Sequence, residues 1–229
     1  MNLNDARQLV IASRNDQPDF NCQIQRSADG GATWEASSFP PPPAGTCWSP
    51  GAAWDAGGNV YVAAQNRPPR GGAQNIIVWR STDGGRSFAA PVLIPNSAGF
   101  QAGIAVDTHA ASPFRGRIYV AWYRFPNFPT SIDTFLSFSD DGGRTWSAPT
   151  SRPVAGQFQQ FPQPAVAPDG TVYVAFKDTA SNFFSSSPPP AVQTGCLGVS
   201  GAGSPANGAV CAIRVLRSSS GGPASTVTL

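Results

Sequence analysis

Apolar residues in this chain come in short runs rich in β-branched and aromatic types, each closed by Gly, Pro or Asn. Val60-Tyr-Val-Ala-Ala, Ile118-Tyr-Val-Ala-Trp and Val172-Tyr-Val-Ala-Phe are three such runs, and Leu9-Val-Ile-Ala is a fourth. Runs of this length and composition, bounded by turn formers, predict strands in hairpins. None approaches the ~18 apolar residues that span a membrane as a helix, so no membrane span is expected.

A second element recurs between the runs. Ser27-Ala-Asp-Gly-Gly-Ala-Thr-Trp34, Ser81-Thr-Asp-Gly-Gly-Arg-Ser-Phe88 and Ser139-Asp-Asp-Gly-Gly-Arg-Thr-Trp146 align residue for residue, with Asp29, Asp83 and Asp141 spaced by 54 and 58 positions. A worn copy, Ser218-Ser-Ser-Gly-Gly222, carries Ser220 where the aspartate stood. A fixed period decides architecture before any local propensity does. The second period predicts strands at Gly51–Trp54, Val60–Ala64, Ile76–Arg80 and Pro91–Ile94. The third predicts them at Ile104–Val106, Ile118–Tyr123, Thr134–Phe138 and Ser147–Pro149. The fourth predicts Pro164–Ala167, Thr171–Phe176, Ala212–Leu216 and Thr226–Leu229. Four antiparallel strands in roughly 55 residues describe one blade of an all-β propeller. The chain is expected to be a single domain of about four blades: 1–40 (lacking its opening strand), 48–96, 101–152, and 160–229 with an insertion at 179–210.

Composition agrees and narrows the function. Gly (24) and Pro (23) are abundant, and charged residues make up only 12% of 229, which excludes coiled coils, helical bundles and acidic disordered chains. Fifteen basic residues nearly balance thirteen acidic ones, so the electrostatic footprint of a nucleic-acid binder is missing. His109 is the single histidine and no CxxC occurs; neither metal nor cofactor is expected.

The repeated octapeptide resembles the Asp-box (bacterial neuraminidase, BNR) repeat of sialidase-type propellers. In physical terms it caps the hairpin between a blade's third and fourth strands. The aspartates Asp29, Asp83 and Asp141 accept turn N–H groups, the glycines allow positive φ, and Trp34, Phe88 and Trp146 pack between sheets. The resemblance implies a propeller of which six blades are usual, so this chain would be an open arc completed by a partner chain or further sequence. It also implies a ligand face opposite the boxes. Aligning the second strands places Arg14, Asn66, Arg124 and Asp178 together on that rim, preceded by Ser13, Gln65, Tyr123 and Lys177. Cationic and polar groups converging there suit a carboxylate or an array of sugar hydroxyls. The interblade loops beside them carry Phe39, Trp48, Phe100-Gln101 and Phe158-Gln-Gln-Phe161, suited to stacking on sugars or to plugging the channel.

Sialidases use an arginine trio, an acid–base aspartate and a tyrosine activated by a glutamate. Glu35 is the only glutamate, and it follows the first box on the opposite face. Catalytic residues are therefore unassigned. The expectation is an exported, glycan-recognising propeller, with a sialidase-type glycoside hydrolase and a non-catalytic scaffold for protein partners both open.

Four cysteines form two sequence-local pairs, Cys22 with Cys47 and Cys196 with Cys211, the connectivity geometrically easiest of three. Disulfides imply an oxidising, extracellular setting.

Overall fold

The computed structural model describes residues 1–16, 21–68, 74–127, 131–152, 159–179 and 211–219. These form fourteen strands in four antiparallel sheets. The first sheet holds β1 (Leu9–Asn15), β2 (Asn21–Ser27) and β3 (Glu35–Ala36). The second is β4 (Thr46–Trp54), β5 (Val60–Arg67), β6 (Asn75–Ser81) and β7 (Val92–Leu93). The third is β8 (Phe100–Val106), β9 (Ile118–Asn127), β10 (Ser131–Ser139) and β11 (Thr150–Ser151). The fourth is β12 (Gln159–Val166), β13 (Val172–Thr179) and β14 (Cys211–Ser218). Each sheet is a simple meander, the blade expected from the repeat.

The Val60 and Ile118 runs are apolar throughout because the middle sheets are covered on both faces, unlike a half-solvated sheet, which alternates. Along β5, Val60, Val62 and Ala64 face the first sheet beside Cys22 and Ile24, while Tyr61 and Ala63 face the third beside Ile118, Val120 and Trp122. The pattern repeats one blade on: Tyr119 and Ala121 pack with Val174, Phe176 and Leu216. Three slabs of core thus glue four sheets into an arc.

Opening strands β4, β8 and β12 line its inner side and touch directly. Glycine is needed there. A Cβ on Gly103 would lie 2.4 Å from the Pro162 carbonyl oxygen. The outer faces of the first and fourth sheets carry no neighbouring sheet among the described residues, and Ile11 and Ile213 stand 47% and 75% exposed on them.

The opening strands begin earlier than their sequence signals. Trp48, Phe100, Gln101 and Phe161, expected in interblade loops, belong to β4, β8 and β12. The third sheet's outer strand is Thr150–Ser151 rather than Ser147–Pro149, because Ser147 is engaged by Phe138 through backbone and hydroxyl hydrogen bonds. The expected strand Thr226–Leu229 and the insertion lie outside the described residues.

Candidate functional site

The boxes fold as turn chemistry dictates. Asp83 accepts from the Ser81 hydroxyl at 2.7 Å and from the Ser87 N–H and hydroxyl at 2.9 and 2.5 Å. Asp141 does the same with Ser139 and Thr145, and Asp29 with Ser27 and Thr33. Partial burial pushes the Asp83 and Asp141 carboxyls up. The hydroxyl and N–H donors outweigh it and hold both at about 2. At Asp29 the Thr33 hydroxyl leads a set of donors that also lowers the carboxyl. Phe88 is buried and Trp146 packs on the second core slab, while Trp34 folds back to donate to the Gly31 carbonyl.

At the opposite end, three opening strands share one distortion. Pairing slips by one residue between Trp48 and Gly51, between Phe100 and Gly103, and between Gln160 and Gln163. Each slip contains a non-glycine residue at positive φ: Ser49 (47°), Gln101 (51°) and Phe161 (56°). A one-residue β-bulge turns its strand and re-aims side chains. Nothing in the alternation of polar and apolar residues announces it. The available signal is proline inside an inner strand, Pro50 and Pro162, since proline within a sheet is confined to edges and bulges.

The register corrects one alignment. Leu9, Val60, Ile118 and Val172 each pair with the serine that opens a box or its worn copy. Arg14 therefore matches Gln65, Tyr123 and Lys177, whereas Asn15 matches Asn66, Arg124 and Asp178. Arg14, Gln65 and Tyr123 of the corrected set share a role, reaching across to the next blade's bulge. The Arg14 guanidinium lies 4.4 Å above the Trp48 ring. Gln65 Oε1 accepts from the Gln101 N–H at 3.4 Å. Tyr123 meets Phe161 with centroids 6.3 Å apart.

The expected site residues do not form one cluster. Arg14 is drawn to Asp16 (2.5 Å) and Trp48, with Arg67 on the same indole. Asn66 is buried, and its side-chain oxygen accepts the Ala44 N–H at 2.9 Å, which holds the loop ahead of β4. Tyr123 is buried among Phe100, Phe125 and Phe161. Burial pushes its phenol up to about 12, so it carries its proton at neutral pH. Lys177, on β13, pairs with Gln160 in register, and Asp178 follows it.

Arg124 is placed differently. With Gln74, Ala98, Gly99, Phe100, Phe125 and Pro126 it lines a cavity of about 240 Å³ between the second and third blades. Its guanidinium stacks 4.6 Å over Phe135 and donates to the Asn96 carbonyl at 3.3 Å. Across the strand pair, Arg124 is the register partner of the buried Asp133. A fixed cation over an aromatic floor can hold an anionic or hydroxyl-rich group.

Cys22 and Cys47 form a disulfide joining β2 to β4; Cys196 lies outside the described residues, as does the Cys211 side chain. Glu35 sits exposed on β3, paired with Arg26 at 2.9 Å, on the box side and away from the cavity. His109 contacts the Val166 carbonyl of the fourth blade at 3.0 Å. No group of three or more metal-ligating side chains occurs among the described residues, and none of their helices is long and apolar enough to cross a membrane.

Residues 137–148 match the BNR/Asp-box repeat family model. No curated protein sequence matches the chain. Among solved structures, it resembles a protein of unknown function from Dyadobacter fermentans (23% identity, TM-score 0.56, 75% of this chain and 59% of that one). It resembles a mutant NanB sialidase from Streptococcus pneumoniae (15%, 0.55, 77% and 26%). It also resembles the alpha-L-arabinofuranosidase Arb93a from Fusarium graminearum with an iminosugar inhibitor (15%, 0.59, 93% and 60%). The chain spans less than two thirds of each. The box chemistry, the four meander blades and these likenesses converge: the chain carries an Asp-box repeat and has the β-propeller fold that these structures share.

Proposed function

We propose that this chain is an exported propeller that recognises glycans through the face opposite its boxes. The observation that carries this reading is the Arg124 cavity, where a cation and the aromatic rings of Phe100 and Phe125 meet on that face. Aromatic faces with a few fixed polar groups are the makings of a small-ligand site. The sialidase and arabinofuranosidase likenesses support the same ligand class, and the Cys22–Cys47 disulfide supports export. Within this reading Arg124 is the anchor, Lys177 extends the polar rim, Arg14 stiffens the Trp48 wall, and Asn66 and Tyr123 hold the site's shape.

Hydrolysis is the narrower version of the proposal, of glycoside-hydrolase type. Its acid–base residues are unassigned, Glu35 being paired with Arg26 at the box end. The test is a glycan array run beside hydrolysis assays on sialosides and arabinosides. Binding that Arg124→Ala abolishes, without loss of thermal stability, supports the reading; undiminished affinity in that variant removes Arg124 from it. Turnover would add catalysis to recognition.

The bare faces of the terminal sheets, with Ile11 on one and Tyr173 and Ile213 on the other, favour a second reading as a scaffold completed by a partner chain. A defined complex by light scattering, with silence on every glycan, would move the assignment there.

A further inference from the structure

The three bulges provide an internal control. They occupy equivalent places in β4, β8 and β12, and each forces one non-glycine residue into the left-handed region, where L side chains are strained. The second blade meets this demand with Ser49 and the third with Gln101, so the bulge itself requires no large side chain. In the fourth blade the residue is Phe161, 46% exposed. A large aromatic here is strained in its backbone and leaves nearly half its surface in water. Among the described residues its ring contact is a tilted one with Tyr123. The fold gains little from it that Ser49 does not already supply. Strained residues persist where the surroundings hold them, and they gather at functional sites.

Phe161 also continues an aromatic strip. Its ring meets Tyr123, which stacks on Phe100 at 5.5 Å and meets Phe125 edge-on at 5.6 Å. Phe100 and Phe125 are the aromatic wall of the Arg124 cavity. The strip therefore runs from a cationic cavity to an exposed ring at the mouth of the next blade.

Resting on the glycan reading above, we infer that Phe161 is a specificity-determining platform. It stacks on the C–H face of an uncharged sugar ring attached to the residue that Arg124 anchors. An exposed ring with no charge of its own offers nothing to an isolated anion. It favours a ligand of at least two sugar units, with the uncharged unit over Phe161.

The backbone supplies a discriminating variant. Glycine adopts positive φ without strain, so Phe161→Gly removes the ring while relaxing the bulge. The experiment is saturation-transfer NMR and titration calorimetry with 3′-sialyllactose, lactose and arabinotriose, on the wild type, Phe161→Gly, Phe161→Trp and Arg124→Ala. The expected result is saturation on the ring-face protons of the uncharged sugar. Affinity should fall tenfold or more in Phe161→Gly with Tm unchanged or raised, and be retained in Phe161→Trp. Equal affinity of wild type and Phe161→Gly, with Arg124→Ala defective, overturns the platform and leaves the glycan reading standing. Affinity lost in Phe161→Gly together with a clear fall in Tm makes Phe161 a packing residue and overturns it too. No binding of any of the three glycans by the folded wild type overturns the inference and counts against the reading beneath it.

Discussion

The Ser37 hydroxyl donates to the Gly85 carbonyl at 2.6 Å, 48 residues away in sequence and buried between blades. The second box thus does more than close its own hairpin. Its glycine turn leans on the first blade, where Val10 fills the space that a Gly85 side chain would need. Ser38 and Ser87 extend the seam with a parallel bridge. The third box repeats the habit, with Gly143 against the Tyr61 ring of the second blade.

Removing the Ser37 hydroxyl leaves a buried carbonyl unpaired. Ser37→Ala should cost about 1–3 kcal/mol, read as a lower urea midpoint. An unchanged midpoint would mean that water or a shifted donor replaces it.

Asp83→Ala should destabilise by about 1 kcal/mol or more, by stripping acceptors from the box turn. The pH dependence has a definite sign. Folded Asp83 and Asp141 titrate at about 2, below the ordinary carboxylate value. Their contribution is complete above the unfolded value near 4 and drains away as pH falls towards 2. Tm should therefore decline through that window in the wild type, and less steeply in Asp83→Ala. Parallel curves would contradict the linkage.

At the alkaline end, Tyr61, Tyr119 and Tyr123 are pushed up to about 12, burial being the leading cause for each. Raised values make these phenols stabilising below pH 10, the unfolded value, with the benefit lost as pH climbs from 10 to 12. Ultraviolet titration should show the buried phenols ionising late, together with unfolding.

The Cys22–Cys47 bridge closes a loop of sequence separation 25, which on chain-entropy grounds stabilises by about 3 kcal/mol. Cys22→Ala/Cys47→Ala should lower Tm measurably, and reducing agent should then have less left to remove.

Gly103→Ala tests the inner seam. The added methyl meets the Pro162 carbonyl oxygen, and overpacking of this kind costs about 1–3 kcal/mol. A neutral result would mean that β8 and β12 slide apart freely.

Much of the architecture was legible in the chain itself, because blade formation is local chemistry repeated. The Ser-x-Asp-Gly-Gly box carries its own hydrogen-bond donors and acceptors within eight residues, and the Val60 and Ile118 runs announce strands buried on both faces. Cys22 and Cys47, neighbours in sequence, were neighbours in space. What the tertiary structure decided lies at the other end of the sheets. The bulges at Ser49, Gln101 and Phe161 depend on how inner strands of different blades crowd one another, and no window of sequence contains both partners. The same crowding turned Asn66 inward to hold a loop, parked Arg14 on Trp48, and left Arg124 lining a cavity. Strand ends that look equivalent in sequence diverge because each faces a different neighbouring blade, and that neighbour is a property of the fold.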